Sequence, residues 1–549
     1  MSIPDAYSDA RRRSRGARRR RGAKLAAAIV LAGGIGLSPA LALAAAPGPV
    51  ATPAAFEPAA ANPAAPVADT EIKTRLDQGN SLTIAGERLH LSLLRRFYAG
   101  HGYLPVWDSR PEVAKALWAA VLRAGDQGLD PNLFHAAALI NPGVLSPIDR
   151  DLLLSDAFLG YADALARGAL PVEARNSNEE LSPDPVDVVG VLDSAITSPK
   201  PSAVIDALAP NTPEYAAMRR GYQTYQAIAK AGGWPRVDAA SPGERLRQLQ
   251  QRLSAEGYLP AGFATGVNDD QTIAALRAFQ EHHGIEPDGR LGPATLAELN
   301  VSADARAQQI AVGLERMRWL TRDMPATRIW VNTAIQRLQF FQNGQVAFTT
   351  RVVIGQLDKQ TPEFATTINS LLYNPPWNVP YSITTKEILP KLEEDPDYLE
   401  RHNMVMRDNG SVTQLPGAGT ALGRIKFEME DKFDVYLHDT PQRYLFAREN
   451  RRLSHGCVRV QNPRDLASLI SDIPIEDINR GIARGTTTRH MVPAPIPVYI
   501  VYQTAYVGDD GQIAFAHDYY RRDDAVWRHL VPTAQLPVAG QDYGSQRHG

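Results

Sequence analysis

One cysteine, Cys457, serves a chain of 549 residues. It has no partner for an internal disulfide and cannot build a cysteine-rich metal site, so each folded unit must be held by its own apolar core. A single core does not extend over a chain this long, and three or four units are expected. Apolar residues make up 44% and charged residues 21%, a globular, soluble balance. The 58 Lys and Arg against 60 Asp and Glu hide an asymmetry, because nine of the basic residues and only Asp5 and Asp9 fall within residues 1–44. The remainder is mildly acidic, with no basic stripe for nucleic acid.

The arginine-rich start runs into an apolar stretch, Leu25 to Ala46, broken by Pro39 and followed by the small-x-small site Ala42-Leu43-Ala44. Residues 1–44 therefore read as a secretory signal peptide or an uncleaved membrane anchor, and the bulk of the chain as exported to the periplasm. Residues 45–69 are rich in Ala and Pro with almost no charge, a semi-extended linker. From 70 to 232 apolar residues recur at helical spacing, as in Leu152, Leu153, Phe158, Leu159 and Tyr161, without a chemical constellation. A compact module at 241–300 follows: a Leu246, Leu249, Leu253 stripe, the turn at Gly257, a second helix over Asp269–Phe279, and a third over Ala294–Leu299.

Near 327 the pattern changes to strands. Leu338–Phe341 and Val346–Phe348 flank Asn343-Gly344, the strongest hairpin signal in the chain. Asn374-Pro375-Pro376-Trp377-Asn378-Val379-Pro380 is too rich in proline for a central strand and reads as a rigid loop, leading into a helical pattern over Ser382–Leu389. Val498–Tyr506 alternates like a strand, with Ile513–Tyr520 able to pair with it, and 506–549 reads as a C-terminal extension.

Cys457 lies in Leu453-Ser454-His455-Gly456-Cys457-Val458-Arg459-Val460. Gly456 lets the backbone approach a substrate closely, and Val458 and Val460 suggest a loop running into a short strand. A thiol needs a base to become thiolate at neutral pH. His455 stands two positions before it, and His438 nineteen before it at the end of the strand-like Phe433–His438. The bland alternative is a small buried thiol. No metal cluster, phosphate-cradling glycine loop or dinucleotide fingerprint appears, so neither metal nor cofactor is expected.

His438, fifteen residues, then Ser454-His455-Gly456-Cys457-Val458-Arg459 resembles the signature of the L,D-transpeptidase catalytic domain, whose members cross-link peptidoglycan through a cysteine acyl-enzyme. Papain-like and amidase folds usually place Cys before His, the reverse of the order here. Some members carry Ser at the position of His455, which favours His438 as the base.

The resemblance implies a multi-domain α+β protein. Its parts would be a helical scaffold (70–232), a three-helix peptidoglycan-binding module (241–300) and a mostly β, sandwich-like catalytic domain (327–505) with a lid inserted at about 380–430. Phe279-Gln280 and Asp288-Gly289 carry the likeness of the module. The catalytic set would be Cys457 as nucleophile, His438 as base, His455 beside the thiol, and Gly456 with Cys457 as backbone oxyanion donors. Arg459, Ser454, Tyr436, Asp439, Trp377 and Asn374 are the expected substrate-side residues, with the carbonyl or side chain of Asp439 orienting His438. The partners would be stem peptides and glycan of peptidoglycan, met by a monomer. The expected reaction is 3-3 cross-linking. With water as acceptor the same site would be an L,D-carboxypeptidase or endopeptidase, and with an inert Cys457 the chain would be a non-catalytic wall-binding protein.

Overall fold

A computed structural model describes residues 70–531 except Pro142 and Val144. The expected signal or anchor, the linker and the extension beyond 531 lie outside the described residues. Among those described, no helix is long and apolar enough to cross a membrane.

The first part is helical because its apolar residues keep helical spacing. Helix α1 (Pro147–Arg167) is capped by Ser146, whose hydroxyl accepts from the Asp149 N–H, and is buried along most of its length. Helix α2 (Pro213–Lys230) buries Tyr215, Met218, Tyr222 and Tyr225 in the same core. The three-helix module follows, with α3 (Pro242–Ala255), α4 (Asp270–His282) and α5 (Pro293–Leu299) enclosing Leu249, Leu253, Leu276, Phe279 and Leu299. The residues that carried its likeness are architectural. Buried Gln280 donates to Asp288 Oδ1 at 2.9 Å and accepts from the Gly289 N–H at 2.8 Å, pinning the turn. Helix α6 (Ala303–Arg318) returns to the first core and reaches the C-terminal segment, where Gln309 donates to the carbonyls of Thr504 and Ala516.

The catalytic region is built on nine strands: β1 (Arg328–Asn332), β2 (Arg337–Gln342), β3 (Gln345–Gly355), β4 (Phe364–Tyr373), β5 (Ile425–Met429), β6 (Leu437–His438), β7 (Arg452–Ser454), β8 (Val458–Val460) and β9 (Thr488–Val501). Asn343 and Gly344 both take positive φ, 53° and 81°, which turns β2 into β3. The sandwich expected from the sequence is realised as a closed circuit, in the order β3-β8-β6-β5-β4-β9-β1-β2 and back to β3. The physical reason is the length of β3: with 11 residues it pairs β2 at one end and β8 and β7 at the other. Leu338, Phe340, Val352, Ile354, Leu437, Val458 and Val460 face the interior.

Between β4 and β5 the chain leaves the sheet and forms a small body with its own core of Val379, Ile388 and Val412. Three short strands and a helical run, including a wide turn over Thr384–Ile388, make up this insertion. After β9, Ala505–Val507 pairs antiparallel with Ile513–Phe515, and helix α7 (Asp523–Leu530) packs on α6.

Candidate active site

Strands β6 and β8 run parallel, with Leu437 opposite Val458 and His438 opposite Arg459. Alternation along a strand sends Leu437 and Val458 inward, and both are fully buried in the core. The outward set is then His438 and Arg459, joined by the preceding Tyr436 and Cys457. The Val458 N–H donates to the Tyr436 carbonyl at 3.1 Å and carries the pairing back to that level. Lys426 of β5 stands opposite His438 and extends the row. One face therefore presents Lys426, Tyr436, His438, Cys457 and Arg459, with His438 one diagonal step from the thiol.

The thiol is half-buried and donates weakly to the Asp434 carbonyl at 3.8 Å. Burial pushes its pKa up, while hydrogen bonds from Tyr436 and the charges of Lys426 and Arg459 oppose the shift. At rest the sulfur keeps its proton and needs a base. His438 is the imidazole on the same face. Its Nδ1 lies 2.5 Å from the Asp439 carbonyl, which can only accept, so Nδ1 carries the hydrogen, and the Leu422 backbone also hydrogen-bonds the ring. Burial, then the Arg459 charge, pushes the imidazole down to about 3, so the ring is neutral at physiological pH.

Tyr436 sets its ring 5.7 Å from that of His438, edge on, and its hydroxyl faces both Cys457 and Trp377. Lys426 Nζ sits 4.0 Å above the Tyr436 ring. Arg459 donates to Gln442 Oε1 at 2.6 Å, while its Nε is buried without a partner. Burial lowers its pKa, so this cation has less counter-charge than it can use.

The turn before Cys457 is held by side chains. Ser454 Oγ donates to the Cys457 carbonyl at 2.6 Å and accepts from the Gly456 N–H at 3.2 Å. Gly456 takes φ 116°, a conformation that side chains disfavour, although there is room for a Cβ. With the Gly456 N–H engaged, the Cys457 N–H is the donor with no acceptor among the described residues.

Of the remaining expected residues, Trp377 meets this face at the Tyr436 hydroxyl and the others lie apart from it. His455 is exposed and pairs with Glu387 of the insertion at 2.6 Å, and Lys359 reaches the same carboxylate oxygen at 3.1 Å. Partial burial pushes Glu387 up, but those two hydrogen bonds outweigh it and hold the carboxyl below its usual range. The Asp439 side chain accepts from the Arg424 and Thr440 N–H groups and pairs with Arg443, so its carbonyl, not its carboxylate, orients His438. Asn374 is completely buried, donating to the carbonyls of Ile482 and Thr486 and accepting from Arg424. Trp377 is half-buried at the root of the insertion. Sequence reasoning missed Lys426, Gln442 and Glu387. For Lys426 the signal was available, since Ile425-Lys426-Phe427 alternates and Lys426 stands opposite His438.

Sequence comparison agrees with this architecture. Residues 326–500 match the family described as the L,D-transpeptidase catalytic domain, residues 92–221 a "Scaffold domain", and residues 242–299 a "Putative peptidoglycan binding domain". The chain thus carries an L,D-transpeptidase catalytic domain behind a scaffold and a peptidoglycan-binding module. A Haemophilus influenzae protein named "Putative L,D-transpeptidase" is 32% identical over 238 residues, 39% of this chain and 48% of its own length. The chain spans about half of that relative. The N-acetylmuramoyl-L-alanine amidase CwlL of Bacillus licheniformis is 43% identical over 54 residues, 10% of this chain and 15% of that protein. A solved L,D-transpeptidase from Stackebrandtia nassauensis aligns at 16% identity over 49% of this chain and 96% of its own, with a TM-score of 0.21. Domains of these descriptions suggest a location outside the cytoplasm.

Proposed function

We propose that this protein is a periplasmic peptidoglycan L,D-transpeptidase that forms 3-3 cross-links between stem peptides through a thioester on Cys457. The observation that carries the reading is the parallel register of β6 and β8, which puts a neutral imidazole, a protonated thiol and an under-compensated guanidinium on one face.

The Cys457 sulfur attacks the carbonyl carbon of the third residue of a donor tetrapeptide as its proton passes to the His438 imidazole. The tetrahedral oxyanion is met by the Cys457 N–H. Collapse breaks the peptide bond, and D-alanine leaves with the proton returned by His438. The acceptor amine then attacks the thioester, gives a proton to His438, and frees the sulfur. Arg459, with a donor to spare, suits a carboxylate of the stem peptide. The insertion, which meets the site at Trp377 and Glu387, would limit water there and favour the amine as acceptor. The peptidoglycan-binding module would keep the domain on the wall.

Purified full-length chain, incubated with defined tetrapeptide muropeptides and weighed by mass spectrometry, should yield a dimer lacking one D-alanine. A tripeptide product alone would replace transfer with hydrolysis. Unchanged substrate with an unreactive thiol would leave only wall binding.

A further inference from the structure

The Cys457 N–H, which has no acceptor among the described residues, shares a peptide group with the Gly456 carbonyl. That group is planar and trans, so its N–H and C=O point in opposite directions, and fixing one aims the other. The Gly456 carbonyl is fixed. Thr361 Oγ1 donates to it at 2.7 Å and accepts from the Gly355 N–H at 2.9 Å, and Thr361 has no exposure to solvent. With its hydrogen and lone pair both committed, the hydroxyl cannot swing away.

Thr361 is braced in turn from a part of the chain beyond the matched catalytic domain. Buried Tyr520 donates its hydroxyl to the Gly355 carbonyl at 2.6 Å and accepts from the Thr361 N–H at 3.3 Å. Arg522, also buried, donates to the Thr361 carbonyl at 3.1 Å, to Gln360 Oε1 at 2.8 Å and to Glu363 Oε1 at 3.0 Å. Across the same loop, the Glu363 N–H donates to the Asn178 carbonyl and its carbonyl accepts from the Glu180 N–H at 2.8 Å, so the scaffold grips the loop as well.

We propose that Thr361 is a positioning residue for the oxyanion donor, and that Tyr520 and Arg522 of the C-terminal segment complete the active site by holding Thr361 in place. The inference rests on the acyl-transfer reading of Cys457. A loop that only supported the fold would not need a hydroxyl that bonds the Gly456 carbonyl, on the other face of the peptide group from the free N–H.

Two reactions of the full-length chain separate the roles. Acylation by a carbapenem passes through an oxyanion, whereas alkylation by iodoacetamide is a displacement at a saturated carbon and does not. Thr361→Val keeps the shape and removes the hydroxyl, and should lower the acylation rate constant about a hundredfold. Alkylation should stay within about twofold of wild type, and Thr361→Ser should restore most of the acylation. Tyr520→Phe, which removes one oxygen farther from the sulfur, should cost about tenfold in acylation alone and serves if the valine variant does not fold. Equal acylation by wild type and both hydroxyl-deleted variants would overturn the proposal, as would a parallel fall in both reactions. A wild-type chain that alkylates yet is never acylated would instead overturn the acyl-transfer reading itself.

Discussion

His455 Nε2 lies 2.6 Å from Glu387 Oε1, so the histidine nearest in sequence to Cys457 is tied to the insertion. His438, nineteen residues away in sequence, shares the sulfur's face through strand register. Adjacency along the chain and adjacency in chemistry have come apart.

From this follows a ranking. His438→Ala should lower acylation of Cys457 about a thousandfold at neutral pH, the scale of a lost general base. His455→Ala should leave kcat within about tenfold and raise KM, because it loosens the insertion. Glu387→Gln should copy it. Single-turnover kinetics with a tetrapeptide donor decide the matter, and the opposite ranking would exchange the two histidines.

The pH dependence has a defined sign. With His438 held down to about 3, the acylation rate should show no acid limb from this ring between about pH 5 and 8. Stability should behave differently. The unfolded ring takes up protons below its ordinary value near 6.5, while the folded ring resists until about 3. Within that window stability is lost as pH falls, by about 1.4 kcal/mol per pH unit at most, and is unaffected by this group above it. Denaturant titrations at pH 4 and pH 7 should therefore differ less in His438→Asn than in wild type.

Lys426 reaches over Tyr436 toward the thiol. Lys426→Met should raise the midpoint of the alkylation–pH curve of Cys457, through loss of a nearby positive charge. No displacement of that curve would mean the amine is screened from the sulfur.

Asn374 is set apart from the chemistry by its buried amide. Asn374→Ala should cost about 3 kcal/mol, because it orphans the acceptors of Ile482 and Thr486 and places alanine at a φ of 48°. Thermal unfolding should register that loss while KM for the stem peptide stays put. A raised KM in a stable variant would return Asn374 to the substrate side.

Much of this was legible along the chain, for physical reasons that can be named. Asn343-Gly344 declares its hairpin because both residues tolerate positive φ. Alternation in Val458-Arg459-Val460 separates an inward pair from an outward cation without any structure. Either the Asp439 carbonyl or its carboxylate could have oriented His438 on sequence alone. Only the folded chain engages the carboxylate with Arg424, Thr440 and Arg443 and leaves the carbonyl to the ring. Tyr520 and Arg522 carried no signal, since their partners at Gly355 and Thr361 are more than 150 positions away and no periodicity links them. His455 misleads for a related reason: two residues along an irregular turn need not share a side.

The dual pairing of β3 also bears on how copies of this protein meet. Each member of the eight-strand circuit has neighbours on both sides, and among the described residues the only strand attached outside it, Arg452–Ser454, is three residues long. Little lateral backbone is left to recruit an extended segment from another molecule. An enzyme proposed to handle extended peptides would thus be guarded against taking its own kind as one.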